Sequence, residues 1–444
     1  MRLVLVNIKL PKKIPPIILL VVIVVAAVTV GYAYILFGGQ NQPSETIKIG
    51  ILADLDGNTG KHVWQGAILA AEQLNAEGGM LGRQVEVFGE DTDEDTSRDL
   101  TKISLALTRL LTVHDVKFVL GSGSGEKGYL IQDLSAEYKK ILISYGGSED
   151  GLTQRVIDDY DKYKYYFRYM RGNTTYLVGI NLNRFLHIGE ITGFNNVGYL
   201  ADDSGWNAEI REALDHILPE HGFNLVYRST FPPFDTFDFS SYFAAAEEAG
   251  VEILFPMSLY DSGTVLVKEY YDRQSPMIIS GAISRVGSKG WEETDGKCVY
   301  TITAIRGVSI GYPITNQTLP FYNLYIQRWG EAPTANGASS YDIIRFVLSE
   351  ALKKAGTPEI EYVIETLEEI EVETTQARKF AFTSSHDVLY REGSIDNPDD
   401  YGHILTWFQW QKDGSLVPIS PKWLMEEANA SITLPEWSGP WDEK

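Results

Sequence analysis

Two short loops rich in glycine and serine carry the residues best suited to bind a small anion. The first is Gly121-Ser122-Gly123-Ser124-Gly125, and the second is Tyr145-Gly146-Gly147-Ser148. Each loop follows an apolar run that predicts a buried strand. Backbone N–H groups in such loops, helped by serine hydroxyls, donate hydrogen bonds to carboxylates or phosphates. The pocket is expected to be lined by Ser124, Gly125, Gly146, Gly147 and Ser148.

The first loop has other interpretations. Gly123 to Gly128 fits the pattern G-x-G-x-x-G, and Asp150 follows about twenty residues later, as in a dinucleotide-binding loop. In that fold, however, the loop follows the first strand, whereas here it follows the third. A tight turn without a ligand is also compatible with these residues. We favour a loop that binds a small ligand.

The elements that must position the loops alternate between strands and helices. Residues 47–52 predict a strand, and Val63, Ala67, Ala70 and Leu74 recur at helical spacing until Gly78-Gly79 ends the helix. A second block of alternating elements begins near residue 197. Two such blocks predict an α/β fold with two doubly wound parallel-sheet lobes. Other strands are expected at 85–88, 116–120, 141–144, 197–200, 224–229, 252–256, 277–280 and 299–304. Further helices are expected to begin near residues 96, 204 and 261, to end near residues 140 and 249, and to span 340–355. An extended segment is expected at 163–170 and a hairpin at 407–421.

Composition and motif searches exclude several functional classes. The chain has 444 residues and a formal net charge of −22, which disfavours nucleic acid as a partner because phosphates require clusters of Lys and Arg. Cys298 is the single cysteine, so no intramolecular disulfide can form. The acids at 91, 93 and 95 lack the Gly and Glu of a calcium loop, and are expected to cap a helix instead. We expect no enzyme activity, no metal and no cofactor.

The N-terminal region predicts export and attachment to a membrane. Residues 17–37 carry no charge and are long enough to span a bilayer, and the basic residues within 1–16 place that end in the cytoplasm. A cleaved signal peptide is the competing interpretation, although its apolar region is normally shorter. Residues 38–46 form a polar linker. Three sequons predict glycosylation on the extracellular face, at Asn173, Asn316 and Asn429.

The opening unit resembles a known family. The runs Gly50-Ile51-Leu52-Ala53-Asp54, Trp64-Gln65-Gly66-Ala67 and Leu74-Asn75-Ala76-Glu77-Gly78-Gly79-Met80-Leu81-Gly82-Arg83 are similar to the start of solute-binding proteins of the branched-chain amino acid type. The resemblance implies a type I periplasmic-binding fold whose lobes are joined by three crossings, near Phe167, Ile305 and Phe380. It assigns 47–167 and 305–380 to lobe 1, and 168–304 and 381–425 to lobe 2. Residues 426–444 form a C-terminal tail, in which Pro435-Glu436-Trp437 could pack on the body.

The resemblance also implies roles for individual residues. Ser148 matches a hydroxyl that binds the ligand carboxylate, and Gly146 matches a backbone donor, whereas the serine expected in the first loop falls on Gly125, one place after Ser124. The acid that usually pairs with the ligand ammonium falls on Ile283, so the ligand could be an amide or a simple carboxylate unless Asp202 or Asp203 substitutes. The second lobe and the first helix are expected to contribute Trp64, Trp206, Ser258, Tyr260 and Ser284.

By resemblance, the chain is expected to be the extracytoplasmic receptor of an ABC importer, which captures an amino acid or a similar small molecule by hinge closure. Its partners would be a permease and cytoplasmic ATPase subunits. A ligand-sensing ectodomain that feeds a separate signalling partner is the alternative. The two would be distinguished by the partner that co-purifies.

Overall fold

The structure is a computed structural model, and it describes residues 46–93, 100–121, 126–169, 172–203, 205–232, 235–258, 261–283, 286–390, 397 and 401–438. The expected cytoplasmic N-terminus, membrane anchor and linker up to residue 45 lie outside these residues. Among the helices of the described part, none is both long enough and apolar enough to cross a membrane.

The strands form two sheets. In the first sheet the order is β2-β1-β3-β4-β5 and all pairs are parallel. In the second the order is β12-β11-β10-β9-β8-β6-β7, and only the pairs of β11 are antiparallel. The strands are β1 Ile47–Ala53, β2 Val85–Asp91, β3 Phe118–Gly121, β4 Ile141–Ser144, β5 Tyr166–Arg168, β6 Asn196–Asp202, β7 Asn224–Phe231, β8 Ile253–Ser258, β9 Ile278–Ile283, β10 Ile302–Ala304, β11 Trp407–Trp410 and β12 Leu416–Ser420.

Helices cover the sheets, as the alternating pattern predicts. A π-helical segment, Ile343–Leu348, joins α12 to α13. Short 3-10 helices lie at Gly205–Asn207, Gly307–Ser309 and Glu436–Ser438. The α-helices are α1 Asn58–Ala76, α2 Leu100–Thr112, α3 Glu126–Tyr138, α4 Asp150–Asp158, α5 Tyr160–Tyr163, α6 Thr174–Thr192, α7 Ala208–Glu220, α8 Ser240–Glu248, α9 Ser262–Arg273, α10 Gly290–Glu293, α11 Thr318–Trp329, α12 Ala335–Asp342, α13 Ser349–Ala355, α14 Ile360–Glu368 and α15 Lys422–Glu427.

The opening unit forms as its sequence indicates. All but one residue of β1 are buried, because helices cover both faces of a parallel sheet. The expected stripe of α1, which includes Val63 and Leu74, is buried in the same core. Gly79 has a φ of +80°, and a Cβ there would lie 1.9 Å from the Arg83 carbonyl oxygen, so only glycine fits this turn.

Three crossings connect the lobes, and the third lies later than the sequence indicates. β5 pairs with β4 in the first sheet, whereas α6 contributes Val178 and Phe185 to the core of the second, so the first crossing follows Arg168. The second follows β10. Phe382 and Val388 pack in the first core, although 381–425 was assigned to lobe 2, and the chain rejoins the second sheet only at β11. Long-range packing, which local patterns do not reveal, sets this boundary.

Several elements differ from the expectations. Helices α4, α6, α11 and α14 are not predicted by the sequence pattern. Helix α6 buries Asn181, Arg184 and His187, and these polar residues interrupt the apolar stripe that identifies a helix. Tyr163, the first residue of the segment expected to be extended, ends helix α5 instead. Strand β10 begins at Ile302 because turns occupy residues 294–300. The expected hairpin is confirmed by the antiparallel pairing of β11 with β12.

The described part of the C-terminal tail packs on the second lobe. The indole N–H of Trp437 donates to the carbonyl of Ser275 at 2.9 Å, and its ring contacts Tyr270 and Tyr300 edge-on. Upstream, the Gln409 amide exchanges hydrogen bonds with the backbone of Thr433. The packing expected for Pro435-Glu436-Trp437 is therefore observed.

Replacing Trp437 with alanine is expected to lower the free energy of unfolding by about 2 kcal/mol, because aromatic contacts and a hydrogen bond are lost from a half-buried site. Urea denaturation measures this change. Tyr362→Ala, at a side chain that is 57% exposed, serves as the control and should cost less than about 0.5 kcal/mol. Equal effects of the two substitutions would show that the tail does not stabilise the lobe.

Candidate functional site

The loop after β4, residues 145–149, turns its carbonyl oxygens toward protein groups. Ser144 Oγ donates to the carbonyl of Gly146 at 2.5 Å, and Arg168 Nη1 donates to the carbonyls of Gly147 and Glu149 at 3.0 Å each. The carbonyl of Ser148 accepts from the N–H of Thr174 at 3.0 Å. Four successive carbonyls are thus fixed.

The N–H groups of the same peptides must then point the other way. In a trans peptide the N–H lies opposite the C=O, so fixing the carbonyls of Gly146 and Gly147 directs the N–H groups of Gly147 and Ser148 away from those partners. Within the described residues, no protein group accepts a hydrogen bond from either N–H or from the Ser148 hydroxyl. Gly147 has a φ of +74°, which glycine adopts without strain. The loop therefore offers three donors suited to an anion.

The Arg168 guanidinium donates to this loop through the carbonyls of Gly147 and Glu149. It is fully buried, and all five N–H donors have acceptors. Two of them bind Asp387 in a bidentate pair at 2.7 and 2.6 Å, and a third binds Thr153. Burial alone would lower the pKa of Arg168, but the hydrogen bonds and charge of Asp387 outweigh burial and raise this pKa above its usual value.

Thr174 connects the loop to the second lobe. Its Oγ1 lies 3.3 Å from the Ser148 carbonyl oxygen and 2.8 Å from Glu209 Oε2, and Glu209 lies in the first turn of α7. Asp150 accepts from the N–H of Thr174 at 2.9 Å, so its carboxylate also binds the start of α6. Thr174 therefore links the Ser148 carbonyl to Glu209 of α7, and the loop lies at a junction of the lobes.

In the second lobe Ser258 is the last residue of β8, and Trp206 lies in the 3-10 helix Gly205–Asn207 that follows the neighbouring strand β6. Trp206 is half-buried, and its indole N–H donates to Asp202 Oδ1 at 3.1 Å. The Asp202 carboxylate is fully buried and also accepts from Asn207. These hydrogen bonds orient the Trp206 ring, whereas the Asp203 side chain is exposed.

Trp64 lies at the other end of the first sheet's carboxyl edge from Ser148. A Cβ on Gly89 of β2 would lie 2.9 Å from the Trp64 ring, so this ring covers the end of β2. Three strand spacings of about 4.8 Å separate β2 from β4 along the sheet, which gives roughly 14 Å. A single small ligand would therefore need to extend along the edge to contact both residues.

Ile283 belongs to the core of the second lobe. It is the last residue of β9, is 1% exposed, and packs so closely against α9 that a Cβ on Gly263 would lie 2.7 Å from Ile283 Cγ2. By resemblance, Ile283 takes the place of the acid that usually pairs with the ligand ammonium. Because the Ile283 side chain is buried in a core, this match does not identify a side chain that faces a ligand.

Four of the expected site residues lie outside the described part of the chain: Ser124, Gly125, Tyr260 and Ser284. Among the described residues, no group of three or more His, Cys, Asp or Glu side chains could hold a metal ion. Of the sequon asparagines, Asn316 and Asn429 are exposed, whereas the Asn173 side chain caps α6 by accepting from the N–H of Tyr176. Glycosylation at all three stays a prediction.

Three residues of the site, Arg168, Thr174 and Asp387, are not predicted from the sequence. Arg168 is the single charged residue between Lys164 and Arg171, in a run that is otherwise aromatic except for Met170. A charge inside an apolar strand is a signal for a buried, paired group. Its partner lies 219 residues away, so the pairing itself is not readable from local sequence.

Two α/β lobes joined by three crossings, with a loop between them whose N–H groups have no acceptor among the described residues, are the architecture of a solute-binding protein. A sequence model of the family described as "Periplasmic binding protein" matches residues 46–390. The chain therefore belongs to this family, and its fold is the type I periplasmic-binding fold, which confirms the resemblance to solute-binding proteins of the branched-chain amino acid type.

Solved structures share the fold at low sequence identity. A protein from Silicibacter pomeroyi, described as a branched-chain amino acid ABC transporter, is 18% identical with a TM-score of 0.76, over 88% of this chain and 100% of that one. LivJ of Streptococcus pneumoniae, in complex with isoleucine, is 18% identical with a TM-score of 0.67, over 84% and 98%. A solute-binding protein of R. palustris, in complex with benzoate, is 13% identical with a TM-score of 0.65, over 84% and 95%. No curated protein matches the chain.

Proposed function

We propose that the chain is the extracytoplasmic receptor of an ABC importer and captures a small carboxylate, an amino acid or a related amide between its lobes. The observation that carries this proposal is the loop of residues 145–149, whose carbonyls are fixed while two N–H groups and the Ser148 hydroxyl have no acceptor among the described residues. Each hydrogen bond from such a donor to a charged ligand contributes about 1.5–3 kcal/mol.

Hinge closure would complete the site. The loop belongs to the first lobe, whereas Trp206 and Ser258 belong to the second, so a ligand gripped by the loop gains their contacts only when the lobes approach. The closed state would be recognised by a permease, and its ATPase subunits would supply the energy for transport. Residues 17–37 would attach the chain to the membrane, with the lobes on the extracellular or periplasmic side.

Calorimetry on the purified chain tests the proposal. The probes are two matched pairs that differ at the anionic end, L-isoleucine with L-isoleucinamide and benzoate with benzamide, together with L-leucine. A probe at 100-fold excess over its Kd should also raise the free energy of unfolding by about 2.7 kcal/mol. Preference for the carboxylate of a pair supports the anion pocket, and equal affinity within each pair contradicts it. Co-purification of a permease and an ATPase tests the importer role.

Replacing Ser148 with alanine is expected to weaken binding of the carboxylate probe about tenfold, because one charge-assisted hydrogen bond is lost. The N–H groups of Gly147 and Ser148 stay in place, so binding should not be abolished. Ser104→Ala, at a half-buried serine on α2, is the matched control and should leave the Kd unchanged. An unchanged Kd for Ser148→Ala would remove the hydroxyl from the proposed site.

A further inference from the structure

Arg168 and the loop of residues 145–149 are joined by contacts that set the orientation of two peptide groups. Arg168 Nη1 donates to the carbonyls of Gly147 and Glu149, which lie two residues apart, at 3.0 Å each. The first of these carbonyls shares its peptide with the N–H of Ser148. Rotation of that peptide would turn the N–H away from its present direction, so this donor keeps its direction only while Arg168 holds the carbonyl.

Asp387 holds Arg168 in turn. The two side chains form a bidentate pair, and the N–H of Arg168 donates to the carbonyl of His386 at 2.8 Å. Thr383 closes the same turn, since its N–H donates to the Asp387 carbonyl at 2.7 Å. The turn of residues 383–388 belongs to the first lobe, where Val388 packs in the core, and Arg168 is the last residue of β5 before the first crossing. The loop and the start of the first crossing therefore share one buried guanidinium.

We propose that Arg168 is a positioning residue for carboxylate binding, which presents the Ser148 N–H to the ligand, and that Asp387 fixes the Arg168 guanidinium at the start of the first crossing. The inference rests on the proposed function of the loop, and it deepens that function by naming what shapes the anion pocket. Movement of the first crossing during closure would be transmitted to the loop through Arg168, and the carboxylate would in turn favour the crossing geometry in which Arg168 holds the loop.

The guanidinium is the group that this arrangement requires. Its five donors lie in one plane and face five acceptors, on Asp387, Thr153, Gly147 and Glu149. A lysine would keep the positive charge but has three donors on a single nitrogen, which cannot reach both the loop carbonyls and both carboxylate oxygens. The Arg168→Lys variant therefore keeps the positive charge and removes the planar arrangement of hydrogen-bond donors.

The test compares wild type with Arg168→Lys in two measurements. The first is NMR of the chain labelled with 15N at glycine and serine, which follows the amides of Gly147 and Ser148. The second is calorimetry with L-isoleucine against L-isoleucinamide and benzoate against benzamide. We expect the two amide signals to shift and the carboxylate of a pair to bind about tenfold more weakly, while its carboxamide changes little. Asp387→Asn should change both measurements in the same direction.

Arg155→Lys is the matched control, because Arg155 lies in α4, directly after the loop, and pairs with Gln132 and Asp133. It should alter neither measurement. A purely structural role of Arg168 predicts a lower melting temperature with unchanged amide signals and unchanged preference for the carboxylate, and that result would overturn the proposal. If wild type binds neither pair, the proposed function fails, and the amide signals alone decide whether Arg168 positions the loop.

Discussion

Replacing Asp387 with alanine is expected to lower the free energy of unfolding by about 3–5 kcal/mol, because it leaves the Arg168 guanidinium buried without a counter-charge. Arg168 is fully buried, and its bidentate bonds to Asp387 are 2.7 and 2.6 Å long. Alanine would also leave the N–H of Val388 without the Asp387 oxygen that now accepts from it. Denaturation in urea, followed by fluorescence and by circular dichroism, measures the loss.

Two further variants distinguish the free energy lost with the buried pair from the general effect of removing a carboxylate. Asp133→Ala removes the half-exposed carboxylate that pairs with Arg155 and should cost less than about 1 kcal/mol, since solvent screens that pair. Combining Asp387→Ala with Arg168→Met should cost less than the sum of the two single changes, because the unpaired charge disappears. A loss below about 1 kcal/mol for Asp387→Ala would contradict a tight buried pair.

The alternation of strands and helices could be predicted because parallel strands covered on both faces are continuous apolar runs. β4, Ile141–Ser144, is fully buried and lies where its apolar residues indicate. The same rule fails for α6, since a helix that buries Arg184 among aromatic rings has no uniform apolar stripe. The third crossing was placed too early because Phe382 and Val388 give no local sign of which core they enter.

The candidate site was predictable in its location but not in its geometry. Gly146, Gly147 and Ser148 have the composition of an anion-binding loop, and they follow a predicted strand. Which atoms of the loop are free depends on Arg168 and Thr174, and these contacts arise only when distant segments pack together. Ile283 illustrates the same limit, because its place in the sequence does not reveal that its side chain packs in the core of the second lobe.

Asp342 joins two of the segments that lead to the crossings. Its buried carboxylate accepts from the hydroxyl of Tyr169 at 2.8 Å, and from the N–H and hydroxyl of Thr375 at 3.0 and 2.8 Å. Tyr169 begins the first crossing, and Thr375 precedes the third. Burial raises the pKa of Asp342 to about 7, although the hydrogen bonds from Thr375 and Tyr169 oppose this shift.

A raised pKa in the folded state makes the stability from Asp342 fall as the pH rises. The contribution is fully present below the unfolded value of 3.8 and is lost as the pH approaches 7, because the folded state holds a proton that the unfolded state has released. Wild type is therefore expected to lose about 2 kcal/mol relative to Asp342→Asn between pH 5 and pH 7. Urea denaturation at pH 5, 6, 7 and 8 measures the difference.

Comparison with the variant is essential because other buried groups titrate in the opposite direction. Burial lowers the pKa of His62, His386 and His403, so their contribution is lost as the pH falls below about 6.5. These histidines are present in both proteins, so their contributions to the free energy of unfolding cancel in the difference. Thr112→Ser, at an exposed side chain of α2 that carries no ionisable group, should show a difference that does not vary with pH. A constant difference for Asp342→Asn would mean that its hydrogen bonds keep Asp342 ionised throughout this range.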